Sequence, residues 1–471
     1  MESPGAGLAR DLGRWQLLAI TVGAVLGASV YLRPAMIAQS LGTPDRIILA
    51  WTLAGVISLA GALCYAQLAA RWPRAGGEYV YLGETIGEPA AFLFGWMRIT
   101  VGVAVAAGQA TAVVVFLSDL QPFGKPWVHW ADTVLGVPLS VAFGPRQLMV
   151  LVVIAALAFV NCLGVGKAGR FQTAVTVLKV AALLCVIAIL FSAAHHTKAA
   201  APALPPVAPG THGWSIALLG AVSAFNGWTL AAMLGGETRD AERSVPWALG
   251  WGMAVATVCY LAANLGYLSA LPVATLASGQ SALHPDAPSV ASLAVSAAAG
   301  ARTNAWVSAV LALTALGALH VQLLSVPRVF YAMAQDRLLP AVFGRVHPAT
   351  RAPVATIVAF AAIAIALAML GNFDLLMNMA GFGYLTFYVL NVLGLLRILL
   401  QQAPGPQPRR IGHLLVALVF LCGTSWLLAS LIATGRVEII AALVLMAAGL
   451  PVYSLALRLR RSHGARTEFR R

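Results

Sequence analysis

The chain of 471 residues is 60% hydrophobic and only 10% charged, and it carries a formal net charge of +14. Soluble domains carry about 25% charged residues, so this composition argues against a soluble enzyme and predicts an integral membrane protein. The positive charge does not predict a nucleic-acid partner, because the basic residues lie mainly between hydrophobic runs.

Apolar runs of about 20 residues recur along the chain, and this is the length at which a helix crosses a hydrocarbon core ~30 Å thick. We predict an all-α membrane protein with twelve transmembrane helices, which leaves almost no chain for a catalytic domain. The predicted spans, numbered one to twelve, cover residues 15–40, 46–70, 92–119, 147–164, 171–193, 213–236, 246–270, 302–335, 353–370, 373–400, 411–433 and 437–459.

The first and sixth spans are interrupted in the same way. Gly23–Ser29 and Ser223–Trp228 place glycines and small polar residues where a spanning helix prefers leucine. A helix that opens inside the bilayer exposes unpaired backbone groups, which is tolerated only where they line a cavity. Paired interruptions in two halves of one chain indicate the substrate site of a secondary transporter. We therefore predict that helices 1 and 6 are discontinuous.

The spans group into two units of five. Spans one to five form a predicted first repeat over 15–193, and spans six to ten form a second repeat over 213–400. Five crossings carry the chain to the opposite side, so the second repeat must be inverted relative to the first. Residues 411–460 add helices 11 and 12, and residues 461–471 form a basic tail. The proline-rich stretch 199–210 predicts an extended loop between the repeats.

The positions of the basic residues predict the orientation. With the N-terminus in the cytoplasm, about 22 Lys and Arg residues fall on the inner side and about seven on the outer side, which is the positive-inside bias. Only Lys179 is left within the membrane. We predict a multi-pass protein of the cell (inner) membrane with both termini in the cytoplasm. The basic tail is expected to rest on anionic headgroups.

The segment from Pro73 to Gly83 is too polar to cross the membrane. We predict a turn at Gly76 and Gly77, followed by a short interfacial helix. Tyr79 and Tyr81 would then lie at the level of the lipid headgroups, where tyrosine is enriched.

The first interruption offers both poles that a zwitterion needs. Backbone amides of Gly27, Ala28 and Ser29 would cap the following half-helix and bind a carboxylate. Carbonyls of Val25 and Leu26 would end the preceding half-helix and bind an ammonium group. The alternative is close packing of two helices through Gly23 and Gly27, a common use of small residues four apart in membranes. The matching interruption in span six favours the binding site.

The second interruption would complete the site. Phe225, Asn226 and Gly227 would supply carbonyls to the same ammonium group, and Ser223 would add a side-chain hydroxyl. Trp228 is placed to pack beneath the substrate, although an aromatic residue in a membrane helix can also serve packing alone.

Lys179 is a charged residue in mid-span. A charge at this depth costs a few kcal/mol, so its side chain should face the interior and find partners. Its ammonium would replace a sodium ion by donating to the opened backbone of span one, or it would release a proton during transport. Snorkelling to the surface is the remaining alternative, but the residue lies about 13 Å deep, at 1.5 Å per residue.

His320 and Gln322, in span eight, are candidate pocket-lining or coupling groups, or packing residues.

Carboxylates are missing from the centres of the predicted spans. A pocket for a cationic side chain would need such a group, so neutral substrates are predicted. The five cysteines all lie within spans and none has metal-ligand spacing, so neither a metal nor another cofactor is predicted.

Several motifs resemble the amino acid–polyamine–organocation (APC) superfamily, and within it the L-type amino acid transporters and their bacterial relatives. The similarity runs from about Gly13 to Asn391. The first break looks like that family's Gly-x-Ile-Ile-Gly-Ser-Gly-Ile-Phe motif. The other similar segments are Cys64–Leu68 with Pro73–Tyr79, Phe225–Trp228, Gly236–Glu237 and Pro327–Ala334 with Leu338–Pro340. Lys179 falls where the sodium-independent members carry a lysine.

The resemblance implies the inverted-repeat fold of the sodium-coupled leucine transporters and α-amino acid transport by alternating access, often as exchange. Four positions depart from the family pattern. Ser29 replaces a glycine, Gln67 replaces an acid, His320 replaces an asparagine, and Ser223 stands where relatives place an aromatic lid. Eukaryotic members bond to a heavy subunit through a cysteine in an outer loop. The loop 118–146 has no cysteine, so no disulfide-linked heavy subunit is expected.

The leading hypothesis is sodium-independent transport, by exchange, of neutral L-α-amino acids. Its partners would be the substrate and the lipid bilayer, and the protein would be a monomer or a weak dimer. A proton-coupled symporter in which Lys179 titrates is the nearest alternative. A sensor that resembles a transporter and binds amino acids without moving them is the alternative from another class.

Overall fold

The computed structural model of the protein describes residues 7–134, 137–193, 210–281, 283–284, 287–369, 373–401, 407–433 and 437–468. Within these residues the chain is almost entirely helical, and 10 helical segments are long and apolar enough to cross a membrane. The prediction of a helical multi-pass membrane protein is thus confirmed. The predicted proline-rich loop lies outside the described residues from 199 to 209.

Each predicted span contains helix. The helices of spans one to five are Arg14–Val25 with Ser29–Leu41, Pro44–Arg71, Glu88–Thr100 with Ala104–Ser118, Pro145–Cys162, and Val165–Ala193. The helices of spans six to nine are Thr211–Ala224 with Thr229–Ala232, Ala241–Ala270, Asn304–Ser325 with Pro327–Gln335, and Val354–Met369. Those of spans ten to twelve are Phe373–Gln401, Gln407–Ala433, and Val437–Ala447 with Gly449–Glu468.

Two predicted spans fall outside the 10 long segments for different reasons. Span six is divided into a 14-residue helix and a 4-residue helix, so neither piece is long enough alone. The helix of span nine is continuous but has only 16 residues. Short helices also occur between the spans, at Glu78–Thr85, Val273–Ala277 and Val290–Ala299. Short 3₁₀ segments lie at Gly235–Glu237, Ala301–Thr303 and Ala341–Gly344.

A β-hairpin departs from the all-α prediction. Between spans three and four, Val128–Val134 pairs antiparallel with Val137–Phe143, and Val128 lies opposite Phe143. Four of these residues are valines, at positions 128, 134, 137 and 141, and β-branched residues favour extended chain. We call the side of the molecule that carries this hairpin the hairpin face.

Both described ends of the chain lie on the opposite side, which we call the terminal face. The Arg351 guanidinium donates to the carbonyl of Gly7 at 2.8 Å, and Leu12 pairs with the end of span six through two backbone hydrogen bonds of 3.0 and 2.9 Å. Arg460, at the end of span twelve, binds Glu88 at 3.0 Å. The first and last described segments therefore lie on one face.

The segment after span two is the short helix that the sequence predicts, but its tyrosines face inward. Gly76 and Gly77 have φ of +107° and +51°, which makes the predicted turn. Tyr79 and Tyr81 are only 3% and 1% exposed, so their placement at the headgroups was wrong. The Tyr79 hydroxyl donates to Asp336 at 2.7 Å, because the helix is folded under the ends of spans six and eight.

Candidate functional site

Spans one and six are both broken in the middle. The first helix ends at Val25 and resumes at Ser29, and the sixth ends at Ala224 and resumes at Thr229. Both breaks lie within the segments where the sequence places them. The carbonyls that end the first pieces and the amides that begin the second pieces lack intrahelical partners, so the breaks carry opposite partial charges close together.

The two breaks touch each other at a glycine. Gly227 has φ of +118°, a conformation that residues with a Cβ rarely adopt. A Cβ at this position would lie 2.8 Å from the carbonyl oxygen of Ala24. Only glycine therefore allows the opened backbone of span six to approach that of span one.

The breaks form the inner end of a cavity of about 720 Å³. Its lining runs from Arg98 and Trp228 up to Thr211, His212 and Glu438. Thr211 and His212 begin span six and Glu438 lies at the start of span twelve, at the ends of these spans that point toward the hairpin face. The cavity is therefore open toward the hairpin face.

The terminal face is closed beneath the cavity. The Gly76 amide donates to the carbonyl of Met233 at 3.0 Å. Arg328 and Glu237 form a bidentate ion pair, with Nε–Oε2 and Nη2–Oε1 distances of 2.6 and 2.9 Å and no exposure of either side chain. These contacts hold the end of span six against the loop after span two and against span eight.

Most of the predicted site residues lie around this cavity. Those in its lining are Val25, Gly27, Ala28, Ser29, Ser223, Asn226, Gly227, Trp228 and Gln322. Four predicted residues are not in the lining, namely Leu26, Phe225, Lys179 and His320. Phe225 packs instead against Tyr260, with ring centroids 4.7 Å apart, and Leu26 is buried with 2% exposure.

The amide of Gly27 is already occupied. It donates to the carbonyl of Val25 at 2.6 Å, which is a tight turn and differs from the expected orientation into the cavity. Ala28 precedes the helix that resumes at Ser29. The Tyr31 amide donates to the Ala28 carbonyl at 3.0 Å, whereas the earlier amides of the first turn have no carbonyl in their own helix to bind. The free positive end of that half-helix therefore begins at Ala28.

Tyr260 joins the ends of the two interrupted helices, and the sequence analysis missed it. Its hydroxyl lies 2.6 Å from the carbonyl oxygen of Val25 and 2.9 Å from that of Ala224. These are terminal carbonyls of the first pieces of spans one and six. The residue was overlooked because a tyrosine in a spanning helix is usually a packing residue, and only the fold brings this hydroxyl between two breaks.

Replacing Tyr260 with phenylalanine should lower transport about five- to thirtyfold, at a cost of about 1–2 kcal/mol, because the Ala224 carbonyl loses its hydroxyl donor and the Val25 carbonyl keeps only the Gly27 amide. Uptake into proteoliposomes measures this loss. Tyr267→Phe is the matched control, since Tyr267 lies on the same helix and its buried hydroxyl has no hydrogen-bond partner among the described residues. Equal effects of the two substitutions would contradict the bridging role.

Lys179 lies behind the break, on a polar stripe of span five. Its ammonium donates to the carbonyl of Gly23 in the last turn before the break of span one. One and two turns earlier on the same face, Thr176 donates to the carbonyl of Ala19 at 2.9 Å, and Gln172 donates to Thr176 at 3.1 Å. Gly23 has no side chain that would block this stripe. Span five thus fastens the first half of span one along its length.

His320 extends this network to span eight. Its Nδ1 lies 2.8 Å from Oε1 of Gln172, while Nε2 is buried without a partner among the described residues. The ring packs against Phe171 with centroids 4.8 Å apart. His320 therefore lies in the contact between spans five and eight, whereas Gln322 reaches the cavity.

Aromatic rings form the inner end of the cavity. Trp228 stacks on Tyr388 at 5.6 Å between centroids and meets the edge of Tyr65 at 4.8 Å. The Tyr388 hydroxyl donates to Oδ1 of Asn226 at 2.7 Å. Span ten, which the sequence analysis did not assign to the site, thus supports the break of span six.

Arg98 is a second charged residue at mid-span that the sequence analysis missed. It lies in the cavity lining and is 2% exposed. Its signal was a single arginine ten positions after the start of the helix Glu88–Thr100. Glu78, in the short helix between spans two and three, lies behind it. Burial raises the pKa of the Glu78 carboxyl, and the positive charge of Arg98 works in the opposite direction.

Comparison with known proteins agrees with this architecture. The family model described as amino acid permease matches residues 12–454. The serine/threonine exchanger SteT of Bacillus subtilis (strain 168) is 27% identical over 459 residues, which cover 96% of this chain and 98% of the relative.

Two human proteins are also similar. Large neutral amino acids transporter small subunit 2 is 25% identical over 477 residues, which cover 96% of this chain and 81% of the relative. Cationic amino acid transporter 4 is 28% identical over 411 residues, which cover 85% of this chain and 61% of the relative. Since the family model covers nearly the whole chain, the protein belongs to the amino acid permease family of the APC superfamily and transports amino acids across a membrane.

Proposed function

We propose that the protein exchanges α-amino acids without sodium, by alternating access around the two broken helices. The observation that carries this proposal is the contact of the breaks at Gly227 and Ala24, at the inner end of a cavity. Two helix C-terminal ends, which are partly negative, and two helix N-terminal ends, which are partly positive, meet there. A zwitterion is the ligand whose charges match both polarities.

The substrate carboxylate would bind the amides that begin at Ala28 and Ser29, and the ammonium would bind the carbonyls near Val25 and in the 225–227 break. Trp228 would pack beneath the substrate, and Ser223 and Gln322 would add polar groups. Among the described residues of the cavity lining, no carboxylate lies at the inner end, which disfavours cationic side chains.

Lys179 would take the place of a coupling cation. A sodium ion at this position would bind carbonyl oxygens at the end of the first half-helix, and the ammonium of Lys179 already donates to one of them. Sodium independence follows. Residues 15–193 and 213–400 would be the inverted repeats that rock against each other, with residues 411–460 outside them.

The terminal face would be cytoplasmic, as the distribution of basic residues predicts. The structure would then be the outward-open state of the cycle in the cell membrane, since the cavity opens on the hairpin face. The ion pair of Arg328 and Glu237 would close the inner side in this state.

Uptake into proteoliposomes tests the proposed function. We expect labelled amino acid to enter only when unlabelled amino acid is present inside, and choline to replace sodium without loss. Uptake that needs an imposed pH gradient and no internal substrate would instead show a proton-coupled symporter. Binding without any counterflow would show a sensor. Dependence on sodium would contradict the role of Lys179.

A further inference from the structure

Arg98 lies at a third opening in the backbone. The helix of span three stops at Thr100 and resumes at Ala104, and the Gly102 amide binds the carbonyl of Met97 at 2.8 Å. The loosened turn places Arg98 in the cavity lining, close to Trp228 and the breaks. A third span therefore presents a polar group to the same cavity.

The guanidinium of Arg98 is incompletely bound. A guanidinium has five N–H donors and cannot lose its charge. Nη1 donates to the Tyr384 hydroxyl at 2.8 Å, and Nη2 reaches only the sulfur of Met233 at 3.5 Å, a weak acceptor. Nε is buried and has no partner among the described residues. A buried donor without an acceptor is destabilising, so the group is prepared for another acceptor.

The protein does not supply that acceptor as a direct ion pair. Within the described ranges, no ion pair closer than 4.0 Å joins Arg98 to Glu78, and the Glu78 carboxylate accepts from the Tyr65 hydroxyl at 3.0 Å. Glu438 is the carboxylate in the cavity lining, and it lies at the mouth. The inner end of the cavity thus offers a donor-rich cation that faces aromatic rings and no acid.

We propose that Arg98 binds the side chain of the substrate, which carries an acceptor oxygen in a carboxylate or carboxamide group. The inference rests on the proposed function, since it assigns the side-chain end of a zwitterion that the breaks hold. Arg98 would hold the side-chain oxygen through Nε and Nη2, while Tyr384 keeps Nη1 in place. Carboxylates and carboxamides are planar groups whose oxygen atoms can accept from two neighbouring N–H groups of a guanidinium.

An apolar side chain is disfavoured by the same geometry. It would cover Arg98 with methylene or methyl groups, exclude water, and leave its donors unpaired. Sites built to hydrogen-bond a polar group reject analogues that lack it far more strongly than apolar pockets reject small differences in size. A cationic side chain would in addition meet a like charge.

Competition against labelled exchange in proteoliposomes tests this subsite, with glutamine and glutamate as acceptors and methionine and leucine as apolar counterparts of similar size. We expect glutamine or glutamate to compete at least about tenfold better than methionine. If glutamate competes better than glutamine, the group bound by Arg98 is a carboxylate. If glutamine competes better, it is a carboxamide. Methionine and leucine competing as well as both would overturn the proposal.

Arg98→Met separates this subsite from the proposed function. The variant should keep exchange of methionine while the preference for the acceptor side chains disappears. Arg98→Lys keeps the charge but not the planar guanidinium, so it should retain part of the preference for acceptor side chains. It replaces Arg98→Met in the test if that variant does not fold. Val105→Ala, in the same span and the same lining, should leave the preference unchanged. An unaltered preference in Arg98→Met would refute the role of Arg98, whereas a wild-type protein that moves no amino acid would refute the proposed function itself.

Discussion

Replacing Lys179 with alanine is expected to abolish coupled exchange, with at least a tenfold loss of uptake. The substitution removes the donor to the Gly23 carbonyl and leaves this oxygen unpaired, which costs about 1–3 kcal/mol inside a protein. The first half of span one is then held less firmly next to its break. Proteoliposome uptake with and without internal substrate measures both the rate and its dependence on exchange.

Two neighbours provide the control for Lys179→Ala. Val177 and Leu178 lie on the same helix and are 63% and 57% exposed on the surface of the protein, where lipid would cover them. Val177→Ala and Leu178→Ala should leave uptake near that of the wild type. Normal rates and normal dependence on internal substrate in Lys179→Ala would refute the proposed replacement of a cation.

Glu237→Ala is expected to destabilise the protein by about 3–5 kcal/mol, because it leaves the fully buried Arg328 without its counter-charge. Thermal unfolding in detergent detects the loss as a lower Tm. The double variant Glu237→Gln with Arg328→Met removes both charges and should recover much of that stability.

An exposed ion pair on the same face is the control. Arg74 and Glu84 have side chains that are 57% and 40% exposed, and surface pairs contribute about 0–1 kcal/mol. Glu84→Ala should therefore hardly change Tm. If Glu237→Ala and Glu84→Ala lowered Tm equally, the buried pair would not be what closes the terminal face.

The breaks were predictable because their signal is local. Glycine and small polar residues within an apolar run disfavour a continuous helix, and the same interruption occurs in spans one and six. Lys179 was predictable for a similar reason, since a lone charge in the middle of a span has to find a partner in the interior.

Other parts of the site depend on the fold. Spans six and eight cover the buried side of the helix Glu78–Thr85. Because this contact cannot be predicted from the sequence, its two tyrosines were assigned to the membrane interface. The Tyr260 hydroxyl acts only because span seven crosses both breaks. Arg98 carried a signal like that of Lys179 but was overlooked in a long apolar run. The hairpin lay in a segment treated only as a loop.

Main-chain hydrogen bonds join Leu12 to the end of span six: its amide donates to the Glu237 carbonyl, and its carbonyl accepts from the Arg239 amide. The Leu12 side chain is also fully buried. In the proposed cycle, opening of the terminal face would shift the segment at Leu12 relative to the end of span six. A fluorescent reporter attached near Leu12 would then follow the transport cycle directly.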